Sequence, residues 1–195
     1  MIIGLTIAGC CGRMGRSVAM LALRDWDALF ALKGALELSG HDALGRDYGT
    51  VLGLTTTLGL PVGDDAQAAI GRSDVCVDFT TPDATITHVQ VAQQLRKPMV
   101  IGTTGLSEAQ LDTLRAASQK IPIMFSPNMS LGVNALFELA RLAAERLNTF
   151  DIEVVESHHR QKKDVPSGTA KRLAEVLAAA RKQPASVVPV HAVRA

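Results

Sequence analysis

The feature that most constrains this chain is an alternation. Short apolar runs, each ending in glycine, hydroxyl or acidic residues, give way to stretches with helical periodicity. Runs at residues 2–8, 28–36, 75–79, 98–101 and 121–125, with a short one near 60–62, predict strands. An amphipathic pattern (Val18, Leu21, Ala22), a stretch from Asp64-Asp65 through Ile70, residues 83–95 and a segment from Ser107 to about Gln119 predict helices. Residues 40–63, rich in Gly and Thr and without periodicity, are expected to form an irregular connection. Strands alternating with helices predict an α/β fold, a Rossmann-type doubly wound parallel sheet covered on both faces. Its strand C-termini share one rim, where ligands bind. That rim carries Gly9 to Gly15, Glu37, Thr80-Thr81, Gly102 to Gly105 and Ser126 to Asn128. All are small or hydrogen-bonding and admit a ligand close to the backbone, although βα loops are rich in such residues whatever their role.

The first rim segment is Gly9-Cys10-Cys11-Gly12-Arg13-Met14-Gly15-Arg16. Its spacing, G-x-x-G-x-x-G, departs from strict G-x-G-x-x-G and is weak alone. Its position between the first strand and first helix strengthens it. So does Glu37, at the tip of the second strand and about 20 residues beyond the last loop glycine, where an acid can accept hydrogen bonds from a ribose diol. Together they predict a dinucleotide site.

A change of role falls near Ser130, giving a dinucleotide-binding domain over 1–129 and a substrate-binding, catalytic domain over 130–195. The second part predicts a helix over 131–147, with Leu136, Leu139, Ala140, Ala143 and Leu147 apolar, and a strand over 152–155. A helix follows from Ser167 to about Lys182, then a last strand over 187–193, forming a partial α+β unit. Between strand and helix lies the run from Glu156 to Ala170, with adjacent imidazoles His158 and His159, ammonium groups Lys162 and Lys163, and a Pro166-Ser167-Gly168-Thr169 turn. A helix start offers free N–H groups and partial positive charge, so with the lysines it forms a seat for a carboxylate or phosphate. The imidazoles suit proton exchange near neutrality. The same residues also suit a solvated basic loop and an ordinary helix cap.

Lys and Arg total 20 against 19 Asp and Glu, net +1, so no field of one sign calls for nucleic acid or an anionic membrane. No apolar run approaches membrane-spanning length. The apolar opening over residues 1–11 has no preceding basic residue, and arginines follow it, the wrong order for a signal peptide. Cys10, Cys11 and Cys76 fit neither a disulfide framework nor a metal-ligand spacing. No metal and a cytoplasmic setting are expected.

Four segments carry a family resemblance: Gly9 to Arg16, Val100 to Gly105, Ser126 to Asn134 and Glu156 to Ala170. In order and over nearly the whole chain, they closely resemble 4-hydroxy-tetrahydrodipicolinate (dihydrodipicolinate) reductase, with the His-His-…-Pro-Ser-Gly-Thr-Ala segment the most specific. The resemblance implies NAD(P)H-dependent reduction of a cyclic dicarboxylated imine with loss of water, in the diaminopimelate route to lysine. It implies His158 as general acid/base and Lys162 as proton donor, with His159, Gly168 and Thr169 binding substrate. Cofactor contacts map onto Gly9, Cys10, Cys11, Gly12, Arg13, Met14, Glu37, Gly102, Thr103, Thr104, Ser126, Pro127, Asn128 and Met129. Members using NADPH often carry Arg after the ribose-binding acid. Here Leu38 and Ser39 follow Glu37, predicting that NADH is preferred, with NADPH also possible. A homotetramer is implied, although the family continues past the equivalent of Ala195 and residues 181–190 are short for it. Two rivals are another two-domain NAD-dependent dehydrogenase, lacking this basic run, and a non-catalytic nucleotide-binding module.

Overall fold

A central strand in a parallel sheet needs apolar side chains on both faces. β1 (Ile3–Ala8) has them and is buried after its first residue. It pairs in parallel with β2 (Phe30–Leu36) on one side and β4 (Val75–Asp78) on the other. β3 (Val62–Gly63), β5 (Met99–Ile101) and β6 (Ile123–Phe125) complete a six-stranded parallel sheet ordered β3-β2-β1-β4-β5-β6. Strand order reverses beside β1, the topological switch point of a doubly wound sheet. The computed structural model describes residues 1–162 and 164–195; Lys163, the second of the adjacent lysines, lies outside the described residues.

Side chains alternate across the pleat and feed two cores. Leu5, Ile7, Ala35, Val62 and Val77 pack with α1 (Arg13–Arg24) and α2 (Tyr48–Leu52) through Ala19, Ala22, Tyr48 and Val51. Ala8, Leu36, Cys76, Met99 and Ile101 pack on the opposite face with α3 (Ala66–Gly71), α4 (Pro82–Leu95) and α5 (Glu108–Ser118) through Ile70, Val89, Ala92, Leu114 and Ala117.

Sequence periodicity missed α2, within the segment expected to be irregular. The helix is only five residues long, too short to show a period, and depends on its cap. Asp47 accepts from Gly49 N and Thr50 N at the helix start, and from Leu58 N and Leu60 N of the returning chain. These bonds hold its carboxyl below the usual range, led by that from Leu58. Several expected strands also shorten, because only the paired residues hold strand geometry: residues 28–29, 60–61, 98 and 121–122 fall outside β2, β3, β5 and β6.

By contacts, the chain forms two compact units, Met1–Ser126 and Pro127–Ala195. The boundary expected from sequence lay at 129/130, and Asn128 bonds forward along the second unit. Its Oδ1 accepts from Ser130 N (2.9 Å) and its carbonyl from Asn134 Nδ2 (3.2 Å). The second unit comprises α6 (Leu131–Arg146), β7 (Val154–His158), α7 (Gly168–Ala180), a 3-10 turn (Ala185–Val187) and β8 (Val190–Arg194). β7 and β8 pair in parallel, and Ala144, Val154, Ala170, Ala174, Leu177, Ala178 and Val188 form the core. β7 starts two residues later than expected and runs on to His158, because its ladder with β8 extends to Arg194. The apolar face expected for α6 is largely exposed, with Leu136, Leu139 and Leu147 open to solvent; burial falls on Ala144 and partly on Ala140. Among the described residues, no helix is long and apolar enough to cross a membrane.

The β1–α1 turn brings two backbone segments into close contact. A Cβ on Gly15 would lie 2.2 Å from the Gly9 carbonyl oxygen, a backbone atom that cannot yield. Gly15→Ala should therefore cost about 1–3 kcal/mol in chemical denaturation. Gly132→Ala, on the exposed first turn of α6 with no new contact under 3.9 Å, should instead be neutral or stabilising by up to about 1 kcal/mol, the helix preference of Ala over Gly.

Candidate functional site

The candidate nucleotide residues of the first unit sit at strand ends. Gly9 leaves β1 at φ +74°, where a side chain would be strained, and its N–H and that of Cys10 donate to Leu36 O (3.0 and 3.1 Å). α1 then begins at Gly12, which supplies no side-chain cap, so the first-turn N–H groups stay open beside exposed Arg13 and Met14. Cys11 N donates to Glu37 Oε2 at 3.0 Å, which draws the expected ribose acid onto the turn. α2 pins the turn from behind: Tyr48 OH donates to Cys10 O (2.8 Å), and Arg16 donates to both Cys11 O (3.1 Å) and Val51 O (2.8 Å). Periodicity concealed this buttress together with α2.

Thiol sulfurs of Cys10 and Cys11 and a Glu37 carboxylate oxygen lie within 4.8 Å of one another, a grouping the spacing of three cysteines did not suggest. Burial raises both thiols above their ordinary range, and Glu37 accepts from Cys11 N.

At the ends of β4 and β5, fully buried Asp78 collects a polar network. It accepts from Thr80 N (2.9 Å) and Thr80 Oγ1 (2.6 Å), and lies 3.3 Å from the hydroxyls of Thr85 and Thr103. Its other oxygen meets His88 Nδ1 at 2.7 Å. Buried Thr103 is thereby fixed within the Gly102-Thr103-Thr104 segment, where a Cβ on Gly102 would strike the Phe79 ring at 2.0 Å. An aspartate ending an apolar strand was the available signal for this network. Ser126 N donates to Ile101 O (3.1 Å) at the end of β6.

In the second unit one connected network joins most of the predicted residues. β7 turns Val154 and Glu156 inward and carries half-buried His158 on the same side, the two-residue period of a strand. Glu156 Oε2 contacts His158 Nδ1; Glu156 Oε1 accepts from Ser167 N (3.1 Å) and Arg194 Nη2 (3.0 Å). The Arg194 hydrogen bond is the largest influence holding the Glu156 carboxyl below its ordinary range. Arg194 also donates to Asp164 O (2.7 Å). Asp164 Oδ1 accepts from Lys162 Nζ (2.7 Å) and its Oδ2 from Gly168 N (3.3 Å), with Lys162 the main influence lowering its pKa. Ser167 Oγ caps α7 by accepting from Ala170 N (3.1 Å), and Asn128 Nδ2 donates to Thr169 Oγ1 (3.1 Å). His159 lies past the strand end and is exposed, its carbonyl accepting from Lys162 N (3.1 Å). Pro127 and Met129, also assigned to the cofactor from sequence, fall in this unit and are exposed. Sequence gave no role to Glu156, Asp164 or Arg194; the i, i+2 spacing of Glu156 and His158 on one strand was the available signal.

Family models described as dihydrodipicolinate reductase, N-terminus, and dihydrodipicolinate reductase, C-terminus, match residues 3–129 and 132–195. The 4-hydroxy-tetrahydrodipicolinate reductases of Aromatoleum aromaticum and Laribacter hongkongensis are each 46% identical over 175 residues, 89% of this chain. This chain spans 62% and 64% of their lengths, just under two thirds. A dipicolinate-bound dihydrodipicolinate reductase from Paenisporosarcina sp. TG-14 superposes with a TM-score of 0.74 at 27% identity, over 100% of this chain and 79% of that one. The chain belongs to the dihydrodipicolinate reductase family.

Proposed function

We propose that this protein carries out NAD(P)H-dependent reduction of 4-hydroxy-tetrahydrodipicolinate to tetrahydrodipicolinate with loss of water, in the cytoplasm. One observation carries the proposal beyond family membership: a single carboxylate, that of Asp164, bridges the Lys162 ammonium (2.7 Å) and the Gly168 N–H (3.3 Å). Lys162 and the start of α7 thus converge on one carboxylate-sized acceptor, and a substrate carboxylate competes for the place Asp164 takes. The partial positive charge of the helix start and the charge-assisted lysine bond favour that anion.

A reduced dinucleotide suits the first unit. Gly9 and Gly15 bring the backbone too close for any side chain, the start of α1 is uncapped, and Glu37 stands at the ribose position. Within that unit Gly9 to Met14, Glu37, Gly102 to Thr104 and Ser126 would hold it. When bound, the nicotinamide supplies the hydride. The chain's own groups do the rest. Lys162 and the α7 start, with Gly168 and Thr169, fix a carboxylate and so orient the ring. Exposed His159 takes a second polar contact of the substrate. His158 and Lys162 move the protons: one leaves the ring carbon beside the hydroxyl, one goes to the departing hydroxide to give water, and one is delivered to the ring on reduction, a net uptake of one. Overall, the hydroxylated substrate, NAD(P)H and one proton give tetrahydrodipicolinate, NAD(P)⁺ and water.

Three measurements follow. The chain should oxidise NADH, followed by loss of nicotinamide absorbance, when given the freshly formed product of the preceding synthase. Tight NADH binding without any oxidation would favour the non-catalytic module. Lys162→Met should lower kcat by about 100-fold or more, the scale of a lost proton-transfer group, with NADH affinity unchanged. Unchanged turnover would favour the rival dehydrogenase. Leu38, 74% exposed beside Glu37, offers no cation to a 2′-phosphate, and Arg16 is committed to two carbonyls. The kcat/KM ratio should therefore favour NADH, and a clear NADPH preference would refute that assignment.

A further inference from the structure

Glu156 is a buried carboxylate facing the group proposed to move protons. Its two oxygens are divided between two tasks. Oε1 accepts from Ser167 N and Arg194 Nη2, ties that hold β7 to the cap of α7 and to β8. Among the described residues, the partner of Oε2 is the ring of His158, at Nδ1. The carboxylate side chain is 8% exposed and that of His158 34%, so the pair is shielded on the Glu156 side and open on the imidazole side. An ionised carboxylate only accepts hydrogen bonds, so the imidazole must donate from Nδ1. That bond sets the tautomer: Nδ1 carries the proton, and Nε2 is the nitrogen left to exchange with a ligand.

Resting on the acid–base role proposed for His158, we infer that Glu156 is its positioning residue, fixing the ring in the Nδ1–H form and stabilising the imidazolium when Nε2 takes a proton. No bond is made or broken at Glu156. The proton given to substrate leaves from Nε2, and the carboxylate stays ionised throughout. The same division of labour holds in Ser-His-Asp triads, where changing the aspartate to asparagine preserves geometry but inverts the tautomer at a cost on the order of 10⁴ in kcat.

Glu156→Gln separates this role from a purely structural one. Ser167 N–H and Arg194 both need an acceptor, so the amide oxygen takes the Oε1 place and the amide NH₂ turns toward His158. It then donates to Nδ1 and forces the proton onto Nε2. Long-range ¹H–¹⁵N spectra of the labelled chain at pH about 8.5, above the usual imidazole range, read the tautomer directly, with His158→Gln identifying the signal. The wild type should show Nδ1–H and the Gln variant Nε2–H. Turnover of the variant should fall at least about 100-fold with NADH affinity unchanged, while thermal stability drops with loss of the charge opposite Arg194, so the tautomer is the readout that separates the two roles. A wild-type Nε2–H tautomer, or a Gln variant that keeps Nδ1–H or full turnover, overturns the inference. The spectra need no substrate, so a wild type that fails to oxidise NADH defeats the proposed reaction while the tautomer still decides the role of Glu156.

Discussion

Every helix begins with backbone N–H groups that its own turns cannot satisfy, and this chain places two such beginnings where they matter. α1 starts at Gly12 with no side chain closing it. α7 starts at Ser167, whose hydroxyl serves Ala170 N, while Gly168 N reaches a borrowed carboxylate. Both starts follow a strand and a loop that bring extra donors alongside. In the first unit the close contact of Gly15 with the Gly9 carbonyl is the condition for that arrangement, since a single methyl would push strand and helix apart. In the second, the Asp164 contacts show that the Lys162 side chain and the α7 start serve one acceptor.

Much of the remaining structure holds these starts still. Tyr48 and Arg16 fix the carbonyls of the glycine turn, and Asp47 holds together the small helix that carries Tyr48. Asp78 and its threonines fix the ends of β4 and β5. Glu156 and Arg194 tie β7, β8 and the α7 cap into one polar knot. Asp78 and Glu156 are buried carboxylates with both oxygens engaged by named partners, the condition under which polar burial rigidifies instead of destabilising.

The doubly wound sheet was legible because its strands are apolar, short and separated by helices with clear periods. The glycine turn and the basic run were legible because they are local in sequence. Three kinds of feature escaped. α2 is held by Asp47 and by bonds from Leu58 and Leu60, all beyond the reach of a periodicity test. Two partners of Glu156, Ser167 and Arg194, lie 11 and 38 residues away, so the ties that hold its carboxylate against His158 exist only in the fold. The exposed leucines of α6 follow helical spacing faithfully, yet period alone does not say which apolar face is covered.

The central claim is that the start of α7, with Lys162, receives a carboxylate of a small cyclic diacid. Titrating the ¹⁵N-labelled chain with pyridine-2,6-dicarboxylate in the presence of NADH tests it most directly. Saturable shifts of the Gly168 and Thr169 amides, with release of the Lys162–Asp164 contact, are the predicted result. Amides at 168 and 169 that stay unmoved while the diacid binds elsewhere, or no binding at all, would contradict it.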